Sequence, residues 1–139
     1  MHLAIDGYGA DYKKMTDEGL VRDFLDQYPE QLGMTKITSP RVFTYRGPKP
    51  EDWGVSGFVI IAESHISVHT FPDRDYINVD IFSCKEFDTQ AALAEVQKVF
   101  SIPKVKVWSM ERGLEYSSPE EGMVDMSLQR FRLAEAPLD

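Results

Sequence analysis

The sequence is poor in the residues that build covalent or metal frameworks. It has one cysteine, Cys84, and three histidines. An internal disulfide is therefore excluded, little is left for a zinc site, and no metal is expected. Basic residues are also few: 15 Lys and Arg stand against 23 Asp and Glu, for a formal net charge of -8. Those present, such as Lys13, Lys14, Arg41, Arg46, Lys49, Lys104 and Lys106, are scattered. They form no cationic stripe of the kind a phosphate backbone requires, which argues against a nucleic-acid partner. No stretch approaches the ~18 apolar residues that would span a bilayer. The opening Met1 to Asp6 has no basic segment followed by an apolar run, so a cytoplasmic protein without membrane contact is expected. Internal repeats and low-complexity tracts are missing as well.

What is present suits one soluble globular domain. The 139 residues are 42% hydrophobic and 27% charged, enough for a core but not for two ordinary domains. His2 to Tyr8 reads as a strand that ends in the turn-prone run Gly7 to Asp11. Leu20, Val21, Phe24, Leu25 and Tyr28 then recur at helical spacing. Lys36 to Tyr45 reads as a second strand, and Arg46 to Gly54, with two prolines, as a loop. Three β-rich stretches follow: 55–62, 65–71 and 77–82, with a turn at Pro72 to Asp75. From Thr89 as N-cap, Leu93, Val96, Val99 and Phe100 mark a second helix, and Pro103 separates it from a strand at Val105 to Met110. Interspersed strands and helices make the class α+β. A polar tail from Ser117, helical around Met126 to Leu133, carries no readable function.

Strand alternation sorts these residues by face. His65, Ser67, His69 and Phe71 share one side of their strand, and Ile66, Val68 and Thr70 take the other. In the next strand Asn78, Asp80, Phe82 and Cys84 stand opposite Ile77, Val79 and Ile81. The apolar face would pack on the two helices, while the polar one either meets water or lines a site.

Four ordered pieces choose between those uses: Gly54-Val55-Ser56-Gly57, Ala62-Glu63-Ser64-His65, His69-Thr70-Phe71-Pro72 and Val79-Asp80-Ile81-Phe82-Ser83-Cys84. Each alone is common by chance, but together within about thirty residues they are not. Their order and spacing closely resemble the signature of the short prokaryotic S-adenosylmethionine decarboxylases, which depend on a pyruvoyl group. The resemblance extends to His2-Leu3 with Asp6 and to Glu111-Arg112-Gly113, so it covers most of 1–116. It implies one decarboxylase domain over 1–116, self-cleaved between 63 and 64, followed by a tail over 117–139.

The resemblance further implies a two-layer α/β sandwich whose mainly antiparallel sheet packs on two helices and dimerises, sheet face to sheet face, into a four-layer αββα assembly. Ser64 would attack the Glu63 carbonyl, and β-elimination and hydrolysis would leave a covalent pyruvoyl cap, so no pyridoxal phosphate is needed. His69 would take a proton during processing, and Ser56 would steady the oxyanion. The pyruvoyl carbonyl would form a Schiff base with the substrate amine and accept the electrons released with carbon dioxide. Cys84 would return the proton, a task suited to a thiol with pKa near ~8.5. Because Ser64 and His69 stand five apart on one strand, an unbroken register puts them on opposite faces. Either the chain kinks at the junction, or two chains share each site, as the resemblance implies.

Substrate recognition departs from the family pattern. Members that use S-adenosylmethionine usually carry His-Thr-Trp-Pro-Glu, whose glutamate holds the ribose hydroxyls. This chain has His69-Thr70-Phe71-Pro72-Asp73, one methylene shorter. The loop before Gly54 is longer than in typical short members, and of its neighbours Phe43, Tyr45 or Trp53 could supply the ring that stacks on adenine. S-Adenosylmethionine, the source of the aminopropyl donor for spermidine, is the leading substrate; arginine or ornithine is the alternative, with Asp73, Glu51, Asp52 or Asp80 facing the basic end. A non-catalytic regulatory paralogue is the other class to separate, although such proteins tend to lose the self-cleaving serine that this one keeps.

Overall fold

Period-two alternation and helical spacing divide the chain much as physics dictates. The computed structural model describes residues 1–111 and 118–135. The strands are β1 (His2–Tyr8), β2 (Arg41–Tyr45), β3 (Gly54–Ile61), β4 (Ser64–Phe71), β5 (Tyr76–Ser83) and β6 (Lys104–Met110). The helices are α1 (Tyr12–Met15), α2 (Glu18–Gln31), α3 (Thr89–Phe100) and α4 (Pro119–Glu135). All six strands form one antiparallel sheet in the order β2-β3-β4-β5-β1-β6. The second to fifth strands are a meander, and the first slots between the last two.

One sheet face is dry. Leu3, Ile5, Val42, Val55, Val59, Ile61, Ile66, Val68, Ile77, Val79 and Ile81 are buried there, together with Val21, Phe24, Leu25, Ala92, Val96 and Phe100 of the helices. α2 lies over β2, β3 and β4, and α3 over β1, which gives the expected two-layer α+β sandwich. Phe24 stacks on Tyr28 at 4.5 Å and meets Phe100 edge-on at 5.4 Å, tying the two helices together. Tyr28 donates its hydroxyl to the Ala92 carbonyl at 2.6 Å, and burial raises its phenol pKa above the ordinary value.

Four local readings are corrected. The strand expected over Lys36 to Tyr45 shrinks to Arg41–Tyr45, with only a single bridge left from Lys36 to Ile61. Pro40 stands just before it and has no N–H for a ladder. The second long helix is capped by Asp88, not Thr89: its carboxylate accepts from the Gln90 and Ala91 amides, and Asp is the stronger cap. A short helix, α1, fills part of the turn region after β1, and its end carries Met15, whose carbonyl accepts from Thr70 Oγ1 at 2.7 Å. The tail helix runs longer than expected, with Met123, Val124, Met126 and Leu128 exposed. Arg112, Gly113 and the boundary at 116 lie outside the described residues. Among the described residues no helix is long and apolar enough to cross a membrane.

Candidate active site

The other sheet face carries the polar residues in rows set by strand register. One row runs Phe43, Ser56, His69, Asn78, Asp6 and Lys106 across all six strands. Within it, Ser56 Oγ and His69 Nδ1 are 2.8 Å apart. Next along the sheet, Phe71, Tyr76 and Tyr8 form a row in which Tyr76 meets Phe71 and Tyr8 with ring centroids 5.7 Å and 5.4 Å apart. Tyr76 donates to Asp6 Oδ1 at 2.7 Å, and its phenol pKa is raised, chiefly by burial. Asn78 Oδ1 is buried without a hydrogen-bond partner, beside both Asp6 and His69 in the register. At the far end, His2 bonds Asp80 at 2.9 Å, and the rings of His2 and His65 flank Phe82.

A second cluster surrounds the Glu63–Ser64 peptide at the β3–β4 turn. Ser64 has φ 153°, on the side of backbone space that L residues rarely adopt. Such a conformation costs about 1–3 kcal/mol and persists only where its surroundings enforce it. The Glu63 carbonyl accepts from the Cys84 amide at 2.8 Å. Cys84 itself follows β5 with an exposed thiol, so it lies past the strand end and not within the polar row. The Glu63 side chain is 3% exposed; it accepts from the Thr35 amide at 3.0 Å and from Lys85 Nζ at 3.4 Å. The Thr35 amide is the main reason its carboxyl pKa is lowered.

Ser64 begins β4 in register with Ser83, and its unusual φ does not join the clusters. Five residues of extended β4 separate Ser64 from His69 by about 17 Å at 3.3–3.4 Å per residue. Among the described residues no hydrogen bond links Ser64 or Cys84 to His69. The motif residues thus form two half-sites on one sheet, Glu63-Ser64-Cys84 and Ser56-His69.

The glycines of the first motif have a steric reason. A Cβ on Gly54 would lie 1.8 Å from the Thr70 carbonyl oxygen, and one on Gly57 would meet Leu25 Cδ1 at 2.8 Å. Gly57 thus lets α2 sit close to β3, while Gly54 admits Thr70, whose hydroxyl accepts from the Val55 amide at 2.9 Å. Both contacts hold the strand that carries Ser56.

Of the residues nominated for recognition, Asp73 and Trp53 are brought into contact. Asp73 accepts from Trp53 Nε1 at 2.8 Å on one oxygen and from the Tyr12 hydroxyl at 3.2 Å on the other. The guanidinium of Arg46 lies 4.6 Å from the Trp53 ring centroid. Arg74 bonds the Asp52 carboxylate and the Glu51 carbonyl, so the 46–53 loop is fastened to the Pro72–Arg74 turn. Phe43 and Tyr45 are exposed on β2; Phe43 pairs in register with Ser56, and Tyr45 packs its ring close to Gly47. Sequence reasoning did not find Tyr12, Thr35, Asn78 or Lys85, and apart from the alternation that placed Asn78 on the polar face, no local pattern marks them. The cavity of about 140 Å³ between α2 and α3, lined by residues such as Phe24, Tyr28 and Val99, contains none of the site residues. Among the described residues no group of three or more His, Cys, Asp or Glu is arranged to hold a metal ion.

Comparison with known proteins identifies the family. Residues 1–113 match the family model described as S-adenosylmethionine decarboxylase. The S-adenosylmethionine decarboxylase proenzyme of Thermotoga maritima is 33% identical over 113 residues, covering 81% of this chain and 82% of that protein. The proenzyme of Archaeoglobus fulgidus is 32% identical over 101 residues, covering 73% and 80%. The crystal structure of the adenosylmethionine decarboxylase from Aquifex aeolicus superposes with a TM-score of 0.69 at 26% identity, covering 84% of this chain and 92% of that one. The fold is thus shared with a solved adenosylmethionine decarboxylase. The chain belongs to the S-adenosylmethionine decarboxylase family.

Proposed function

We propose that this chain cuts itself between Glu63 and Ser64 and then decarboxylates S-adenosylmethionine with the pyruvoyl group so formed. The observation that carries the reading is the junction itself: a strained Ser64 follows a carbonyl already polarised by the Cys84 amide. Ser64 Oγ attacks the Glu63 carbonyl carbon, the peptide C–N bond breaks and an ester C–O bond forms, with the proton passing to the Ser64 nitrogen. The Cys84 N–H, already bonded to that carbonyl, is a proposed further donor to the oxyanion of that step, beside Ser56, to which the resemblance gives this role. Removal of the Ser64 α-proton, the task proposed for His69, expels the Glu63 carboxylate and leaves a double bond. Tautomerisation and hydrolysis then release ammonia and leave the pyruvoyl cap on the 64–139 chain.

The residues fit that group, because the serine it derives from stands at the strained turn with a carbonyl acceptor already bonded. Once formed, the pyruvoyl group supplies an electron sink for the loss of carbon dioxide. Cys84, with its thiol exposed next to the junction, is the proposed proton donor. Asp73 keeps acceptor capacity beyond its bonds to Tyr12 and Trp53, which suits it to hydroxyl groups of the substrate; Trp53, Tyr45 and Phe43 are the proposed aromatic contacts.

The half-sites about 17 Å apart on one strand call for two chains. We infer a cytoplasmic homodimer in which the open sheet faces meet as a four-layer αββα assembly, bringing Ser64 and Cys84 of one protomer to Ser56 and His69 of the other. Exposed Phe43 and Phe58, and the unpartnered Asn78 Oδ1, lie on the face that such pairing would cover.

The test is the intact mass of the purified protein and of Ser64→Ala. The wild type is expected to give two fragments broken between residues 63 and 64, the larger blocked at its amino terminus, and the variant to stay whole. Carbon dioxide release from S-adenosylmethionine, and not from arginine or ornithine, then identifies the substrate. A wild type that stays whole under native conditions refutes the enzyme and favours a regulatory paralogue.

A further inference from the structure

The Glu63 side chain has no task in the chemistry just described, yet it is a carboxylate buried at the tip of a hairpin. Burying a charge is costly unless it is paired and hydrogen-bonded, and most hairpin tips leave such a group in water. Here it is turned inward to two partners from different parts of the chain. The Thr35 amide, in the segment after α2, holds Oε2 at 3.0 Å. Lys85 Nζ, in the segment after β5, approaches Oε1 at 3.4 Å.

The same two segments also grip the backbone around the scissile peptide. The Thr35 carbonyl accepts from the Ala62 amide at 2.7 Å, and Cys84, next to Lys85, donates its amide to the Glu63 carbonyl at 2.8 Å. Glu63 is thus held at three points, two on its side chain and one on its carbonyl, and the preceding residue Ala62 at a fourth. Ser64, the residue that follows, is the one at φ 153°. A strained conformation survives only when neighbouring structure over-determines it, and these four bonds supply that over-determination.

We propose that the Glu63 side chain is a latch, with Thr35 and Lys85 as its catch, that positions the Glu63 carbonyl for attack by Ser64. Glu63, Thr35 and Lys85 are positioning residues for the acyl shift, and their side chains take no part in the later elimination. The proposal rests on the self-cleavage reading above and adds to it a cause for the reactivity of this one peptide bond. Reach matters more than charge, because the shortest bond is made to a backbone N–H that an amide oxygen satisfies as well as a carboxylate.

The experiment compares splitting rates of the wild type with those of Glu63→Gln, Glu63→Asp and Glu63→Ala by intact mass, with melting curves to establish that each variant folds. Glu63→Gln keeps the acceptor for Thr35 at full reach and is expected to split within about threefold of wild type. Glu63→Asp keeps the charge but is one methylene short, and Glu63→Ala keeps neither; both are expected to split at least about tenfold slower. Hydroxylamine, which cuts esters, should find no accumulated ester in the slow variants, since formation of the ester is the step impaired. Should Glu63→Ala fail to fold, the ordering of Gln above Asp decides alone. Equal rates in all variants, Asp faster than Gln, or an ester that accumulates in the slow variants would each overturn the latch while leaving self-cleavage standing. A wild type that never splits overturns both.

Discussion

The strain at the cleavage junction can be measured apart from the chemistry, by comparing two variants that cannot cut themselves. Ser64→Ala and Ser64→Gly both remove the attacking hydroxyl, so each stays a single chain. Alanine keeps a Cβ and must still adopt φ 153°, a conformation that costs an L residue about 1–3 kcal/mol. Glycine adopts it freely but loses more backbone entropy on folding, about 0.5–1 kcal/mol relative to alanine. The difference leaves Ser64→Gly more stable by about 1 kcal/mol, whereas at an ordinary strand position glycine would be the less stable of the two. For a domain of this size, 1 kcal/mol corresponds to roughly 4 °C in Tm. Urea unfolding of both variants at one protein concentration, followed by circular dichroism and checked by calorimetry, reads the sign directly. An alanine variant as stable as the glycine variant, or more stable, would refute the claim that the junction is strained and remove the main support for its reactivity.

Gly54→Ala places a methyl group within the van der Waals radius of the Thr70 carbonyl; a loss of about 2–4 kcal/mol is expected in urea unfolding, as for other forced overpacking. Cys84→Ala is expected to split normally, because the bond to the Glu63 carbonyl comes from its backbone amide, while carbon dioxide release falls about 100-fold, the lower end for loss of a general acid. The lowered carboxyl pKa of Glu63, caused first by the Thr35 amide, has a pH signature. A depressed folded pKa contributes stability that is present above the ordinary value of 4.5 and is lost as pH falls through the folded pKa. In an uncleavable Ser64→Ala background, Glu63→Gln should therefore show a shallower loss of stability below about pH 4.5 than Glu63 does; parallel curves between pH 3 and 6 would contradict it.

Much of the architecture was legible in the sequence because the signals that encode it are local. Alternation in 65–71 and 77–82 placed Ile66, Val68, Ile77, Val79 and Ile81 on one face, and that face is the buried one. Where local reading failed, a specific neighbour was the cause: Pro40 cut short the strand expected from Lys36, and Asp88 displaced Thr89 as the helix cap. The motif order around Ser56, Glu63, Ser64, His69 and Cys84 likewise needed only the chain as written, and it identified the family that residues 1–113 match.

Contacts between distant segments were beyond such reading. That β1 lies between β5 and β6, that Thr35 and Lys85 close on Glu63, and that Tyr12 and Trp53 share the oxygens of Asp73 all depend on strand register and loop path. The sequence determined by itself which residues alternate, which turn and which carry the chemistry, because those properties follow from side chains a few positions apart. Only the tertiary structure decided which of them meet, because a hydrogen bond between residues 28 apart, as from Thr35 to Glu63, is set by how the whole sheet and its helices pack.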